Sequence, residues 1–261
     1  MEQRVDYIAR YEPSVKAFVD ETFDSDRVLD AIVQSDERLP LKGLLLGVKD
    51  IINVDQFPTR CGSVLPAYLF NGPQASCATR LFKAGAVMVG KTVTAEFAVS
   101  DPGPTRNPRN LNHTPGGSSS GSAAAVAAGF CDIALGTQTS GSVIRPAGYC
   151  GTFGYKPSFG RVALDGVLPY SKSMDHIGLF AKDMSTMAAT LPILVTDWRN
   201  TKDSLVNKPI IGVPMGSYID LAMPHVSAQF EMIISAIKQM DAIVKPIILC
   251  DDIASHNYTH D

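Results

Sequence analysis

Residues 116–137 read GGSSSGSAAAVAAGFCDIALGT, and this stretch decides the fold. A Gly-Ser turn runs into very small side chains at 122–129, which predict a helix able to pack closely on its neighbours. CDIALGT (131–137) then predicts a buried strand. Working outward, LLLGV (44–48) and AVMVG (86–90) are further buried strands, and a helix starting near Ser76 precedes the second and stops at Gly85. VKAFV (15–19) predicts a short strand. Asp24 or Ser25 caps a helix through about Glu37, with Val28, Leu29, Ile32 and Val33 on one face. Residues 53–74 and 101–117 are rich in Pro, Gly and Asn and predict loops. DMSTMAATLPILV, after Lys182, predicts a helix. PIIGVP (209–214) and AIVKPII (242–248) predict strands with a helix at 226–240 between them. Strands alternating with helices define an α/β fold, a mixed central sheet with helices on both faces. One domain over residues 1–261 is expected.

The totals narrow the function. Of 261 residues 45% are hydrophobic, enough for a sizeable core, and 19% are charged. A net charge of −3 without a long basic run makes nucleic acid and anionic membranes poor partners. The five cysteines, Cys61, Cys77, Cys131, Cys150 and Cys250, are scattered and form no CxxC pair, so neither a disulfide framework nor a zinc site is expected. Reduced thiols fit a cytoplasmic location. MEQRVDYIARYEP (1–13) lacks an apolar signal core, and no apolar run is long enough to span a membrane. The histidines His113, His176, His225, His256 and His260 show no HxxxH or HxH spacing, so no metal is expected. Cys250, His256 and His260 carry no assignable role.

Chemistry gathers at three positions. Ser118 lies in the first Gly-Ser turn, and Ser142 in a second, TSGS (139–142), at the end of the strand CDIALGT. Lys49 follows the apolar run at 44–48. A serine hydroxyl is a poor nucleophile until a base removes its proton. A lysine among Leu44, Leu45, Leu46, Val48, Ile51 and Ile52 is disfavoured as an ammonium and becomes a usable base. The amides of Thr139, Ser140, Gly141 and Ser142 are placed to hold a developing oxyanion. Together these features point to a hydrolase working through an acyl-enzyme.

Each residue has a plainer reading. GGSSSGS resembles a flexible linker, but it lies between two predicted strands. GSSSG (117–121) fits a GxSxG elbow with Ser119 at its centre, yet polar NLNHTPG precedes it where the elbow needs a buried strand. No Gly-Lys-Ser/Thr follows the glycines, which excludes a phosphate loop. Lys49 is open to a snorkelling reading with Asp50 as its ion partner. Arg145 is either structural or a fork for a substrate carboxylate. His176 with Asp175 suggests a Ser-His-Asp site, but neighbours on an extended chain point in opposite directions.

GVKD (47–50), PGGSSSGSAAAVAAG (115–129), GTQTSGSVIRPAGYCG (136–151), GYKPSFGRV (154–162) and SMDHIGLFAKD (173–183) resemble the amidase signature family over about residues 40–190. The resemblance implies a Ser-Ser-Lys triad: Ser142 as nucleophile, Ser118 as bridging serine after a cis Gly117–Ser118 peptide, and Lys49 as general base. It implies no cofactor. TQTxGSVIRPA is closest to the malonamidase-like branch, whose arginine grips the carboxylate of a small acidic amide. Arg145 stands at that place, and Ser119 and Gly117 are expected beside it in substrate binding. The A-type chains of transamidosome-type enzymes are similar too, though their usual pattern lacks this arginine. Ser140 departs from a frequent glycine. The chain also stops at ASHNYTHD (254–261), whereas family members usually continue with further strands and much of the substrate pocket. An unpaired sheet edge would favour self-association, which leaves room for a homodimer. Three functions follow: an amidase acting on a small-molecule amide, an inactive or truncated relative, or an ammonia-releasing A-type component of an amidotransferase needing partner chains.

Overall fold

A computed structural model of the protein describes residues 1–199 and 208–248. The chain divides into two compact units, Met1–Arg199 and Asn200–Asp261. In order, the first unit holds α1 (Glu2–Val15), α2 (Ser25–Gln34), β1 (Leu45–Lys49), α3 (Ser76–Lys83), β2 (Val87–Thr92), α4 (Ser120–Ala127), β3 (Ile133–Gln138), α5 (Ile144–Cys150), β4 (Phe153–Tyr155), β5 (His176–Ala181) and α6 (Met184–Leu194). The second holds β6 (Ile210–Pro214), α7 (Ser217–Asp220), α8 (Pro224–Gln239) and β7 (Ile243–Ile247). Cys250, His256 and His260 lie outside the described residues.

The first unit is built on a five-stranded sheet in the order β2-β1-β3-β5-β4. β1 runs parallel to β2 and β3, while β5 is antiparallel to β3 and β4, so the sheet is mixed as expected. Every residue of β1, β2 and β3 is buried. Alternation along the strands divides their side chains between two cores. Leu46, Val48, Ile133, Leu135, Ile177 and Leu179 join Leu81 of α3 and Leu191 of α6 on one side. Leu45, Val87, Val89, Ala134 and Phe180 join Val5, Val28 and Ala124 on the other. Helix α4 succeeds here because it is thin. At Gly121 an added Cβ would collide with the Ala17 carbonyl and the Val93 amide, so no other residue fits without moving backbone.

Several expectations change. Residues 15–19 form no strand. α1 runs to Val15, Lys16 turns left-handed at φ 55°, and the Glu12 carboxylate accepts from the Ala17 and Phe18 amides. Only Phe18 pairs, as a single bridge to Thr92. Asp24 does cap α2, accepting from Arg27 N at 2.7 Å. Ser76 is the first residue of α3 rather than its cap, and Asp165 accepts from both its amide and its hydroxyl. The second unit contains the two predicted strands, paired in parallel, with α8 between them in sequence.

Candidate active site

The site forms where β1, β3 and the turn before α4 meet. Lys49 ends β1 with no exposed surface. Its Nζ donates to Ser118 Oγ at 2.8 Å and to Thr137 Oγ1 at 2.7 Å. Burial lowers the ammonium from its ordinary value of 10.5 to about 7, against a weaker opposing pull from the Asp175 carboxylate. The snorkelling reading therefore fails. Asp50 is not its partner either, because Asp50 Oδ1 lies 3.0 Å from Lys91 Nζ on the neighbouring strand.

The serine-rich turn is stapled to the sheet, which removes the linker reading. Gly117–Ser118 is a cis peptide bond. Ser118 O accepts from Ala95 N. Ser120 Oγ donates to Val93 O, and Ser122 Oγ to Leu135 O. Ser119 is fully buried, with its hydroxyl donating to Thr137 O and accepting from Thr137 N. Those bonds make Ser119 a strut between α4 and β3.

The second turn follows β3. Ser142 is nearly buried, and its Oγ makes no hydrogen bond among the described residues. The Lys49–Ser118 half of the expected relay is thus in contact, while no hydrogen bond joins Ser118 to Ser142. The amides of Thr139, Ser140, Gly141 and Ser142 donate to no group among the described residues. Gln138 holds the turn: Oε1 accepts from Val143 N at 2.8 Å and Ile144 N at 3.0 Å, and Nε2 donates to Ser140 O at 2.9 Å. Thr139 Oγ1 donates to Asp175 Oδ1 at 2.5 Å, and Asp175 Oδ2 accepts from the Tyr170 and Ser171 amides. Asp175 is therefore committed to loops, and His176 Nδ1 sits 2.6 Å from the Met174 carbonyl, so the pair forms no His-Asp base.

Arg145, on α5, donates from Nε (3.2 Å) and Nη2 (2.9 Å) to Gly117 O, while Nη1 bonds nothing among the described residues. Beside it opens a cavity of about 340 Å3, walled by Gly116, Gly117, Ser120 and Tyr149 and by loop residues including Val99 and Thr114. Arg145 is the one charged group in that wall. Sequence reasoning missed Thr137 and Gln138. Both lie within the run GTQTSGSVIRPAGYCG (136–151), which by itself assigns neither a role, and only the strand register brings them to the site. Among the described residues no group of three or more metal-ligating side chains forms, and no helix is long and apolar enough to cross a membrane.

Comparison with known proteins places the chain in a family. The family model Amidase matches residues 2–250, and the chain belongs to that family. It is 37% identical over 252 residues to the A component of the glutamyl-tRNA(Gln) amidotransferase of Synechococcus sp. (strain RCC307), covering 87% of this chain and 52% of that protein. Among solved structures it resembles the A component of the glutamyl-tRNA(Gln) amidotransferase of Thermotoga maritima, with a TM-score of 0.80 and 29% identity over 95% of this chain and 57% of that one. It also resembles the native peptide amidase of Stenotrophomonas maltophilia, with a TM-score of 0.80 and 29% identity over 98% of this chain and 60% of that one. The chain spans about half the length of the curated relatives it matches.

Proposed function

We propose that the chain cleaves the C–N bond of a small amide through a seryl acyl-enzyme. The reading rests on one observation, a lysine without exposed surface, shifted toward neutrality, in contact with the Ser118 hydroxyl. Neutral Lys49 accepts the Ser118 proton as Ser118 accepts that of Ser142. Ser142 Oγ attacks the amide carbon, and the free amides of residues 139–142 stabilise the oxyanion. The lysine, now charged, returns its proton through Ser118 to the departing amine. Water then hydrolyses the ester by the same relay, restoring Ser142.

The substrate is a short amide bearing a carboxylate, as in the malonamidase-like branch. Arg145 is already oriented by Gly117 O, and its free Nη1 edge suits a carboxylate in the adjoining cavity. A fluorophosphonate should label wild type and fail on Ser142→Ala, whose folding is checked by circular dichroism. Label on Ser142→Ala would discard Ser142 as nucleophile. In a substrate panel, Arg145→Ala should lose turnover of malonamate-like acids and keep that of neutral aryl amides. Equal losses on both would remove the carboxylate fork.

The similarity to the A components of amidotransferases favours a second reading, an ammonia-releasing component that works with partner chains. Ammonia release from glutamine only after a partner is added would support it. A third reading, an inactive relative, predicts no label on wild type at all.

A further inference from the structure

We infer that Gln138 is the positioning residue that shapes the oxyanion turn and aims Ser142, an inference that rests on the proposed acyl-enzyme chemistry. Helix α5 starts without a cap from its own flanking side chain, since Val143 precedes it. The first amides of a helix have no partner inside it and must find one elsewhere. Here the Gln138 carboxamide supplies it from the end of β3, accepting from Val143 N and Ile144 N. The same group donates from Nε2 to Ser140 O in the middle of the turn.

One nearly buried side chain therefore grips both the middle of the turn and its exit into α5. With the Ser140 carbonyl and the exit amides tied to Gln138, the turn leaves the amides of 139–142 pointing nowhere within the described chain. Only a carboxamide, or a protonated carboxyl, offers an acceptor and a donor in this planar layout. An ionised glutamate keeps the two accepted bonds and sets a negative oxygen against the Ser140 carbonyl. A methionine keeps the bulk and loses all three bonds.

The test measures labelling by a fluorophosphonate, and kcat and KM on one amide, for wild type, Gln138→Glu and Gln138→Met, with near-ultraviolet circular dichroism to confirm folding. Removing or displacing oxyanion donors typically costs about 100-fold or more, so Gln138→Met should lose about 100-fold in labelling rate and kcat while KM moves less than about threefold. Gln138→Glu should lose about 10-fold near pH 8, and its rate relative to wild type should climb back as pH falls and the carboxyl regains a proton to donate. A merely structural role predicts no such pH-dependent ratio. If Gln138→Met does not fold, the Gln138→Glu ratio decides. Labelled wild type with a flat Gln138→Glu ratio, or with both variants at the wild-type rate, overturns the role of Gln138. Unlabelled wild type overturns the acyl-enzyme reading instead, and this inference with it.

Discussion

Lys49 is charged in the unfolded chain up to its ordinary value near 10.5 and neutral above about 7 in the fold. Between those limits the unfolded state binds one more proton than the native state, so stability rises with pH across the window. Below about 7 the penalty for burying this amine is fully present. One proton corresponds to a slope of about 1.4 kcal/mol per pH unit. In Lys49→Met that slope between pH 7 and 10.5 should be smaller by this amount, measured by urea unfolding at several pH values. Activity should have the matching limb in wild type, with kcat/KM rising through about pH 7, and should fall by at least about 100-fold in Lys49→Met. An unchanged slope would mean that Lys49 is solvated and charged in solution. Lys49 and Ser118 were legible in the sequence because an apolar run before a lysine and a serine-rich turn are local signals. Thr137 and Gln138 were not, since their roles depend on which strand lies beside which. The contact of the Ser119 hydroxyl with Thr137 is illegible for the same reason, because nothing local announces it.

At the scale of elements, β1 and β2 lie parallel, with Val48 opposite Lys91 and Lys49 opposite Thr92. Two lysines thus lie at adjacent register positions, Lys49 last in β1 and Lys91 next to last in β2, both without exposed surface. Asp50 forms its ion pair with Lys91, which leaves Lys49 free of a contacting carboxylate and able to stay neutral. Burial raises the Asp50 carboxyl and lowers the Lys91 ammonium, and their mutual attraction opposes both shifts. Breaking one partner of such a pair strands the other, so Asp50→Asn should destabilise the protein by about 3–5 kcal/mol, and Asp50→Asn with Lys91→Met should recover most of it. Denaturant midpoints check this, and additive losses would show that the two groups do not interact. The buried strands at 44–48, 86–90 and 131–137 were readable as continuous apolar runs. Strand β5 and helix α5 were not. HIGLFA is short and follows a turn, and Pro146 with Gly148 reads as a breaker although proline is tolerated in a first helical turn. VKAFV reads as a strand because four of its five residues are apolar, while the Glu12 carboxylate, five to six residues away, takes the Ala17 and Phe18 amides.

Across the whole first unit one carboxylate ties distant segments together. Asp132 accepts from Arg4 of α1, from Lys182 after β5 and from the Leu45 amide of β1. Burial pushes this carboxyl up, but those hydrogen bonds outweigh it and hold the group below the ordinary carboxylate range. Its contribution is therefore present above the unfolded value near 3.8 and lost as pH falls through the lower native value. Asp132→Asn should be less stable at neutral pH, by roughly 1–3 kcal/mol, and should lack this part of the acid-induced loss. Thermal unfolding between pH 3 and 7 checks both, and parallel curves for the two proteins would discount the knot. A sequence shows no such link, because positions 4, 45, 132 and 182 share nothing but their place in space. Helix α4 has a different bearing on the whole. Seven of its eight residues are buried, none larger than valine, and it packs on β1, β2, β3 and β5. A bulkier side chain at Gly121 would wedge α4 off the Ala17 and Val93 backbone, so this slender spindle sets how closely helix and sheet can approach.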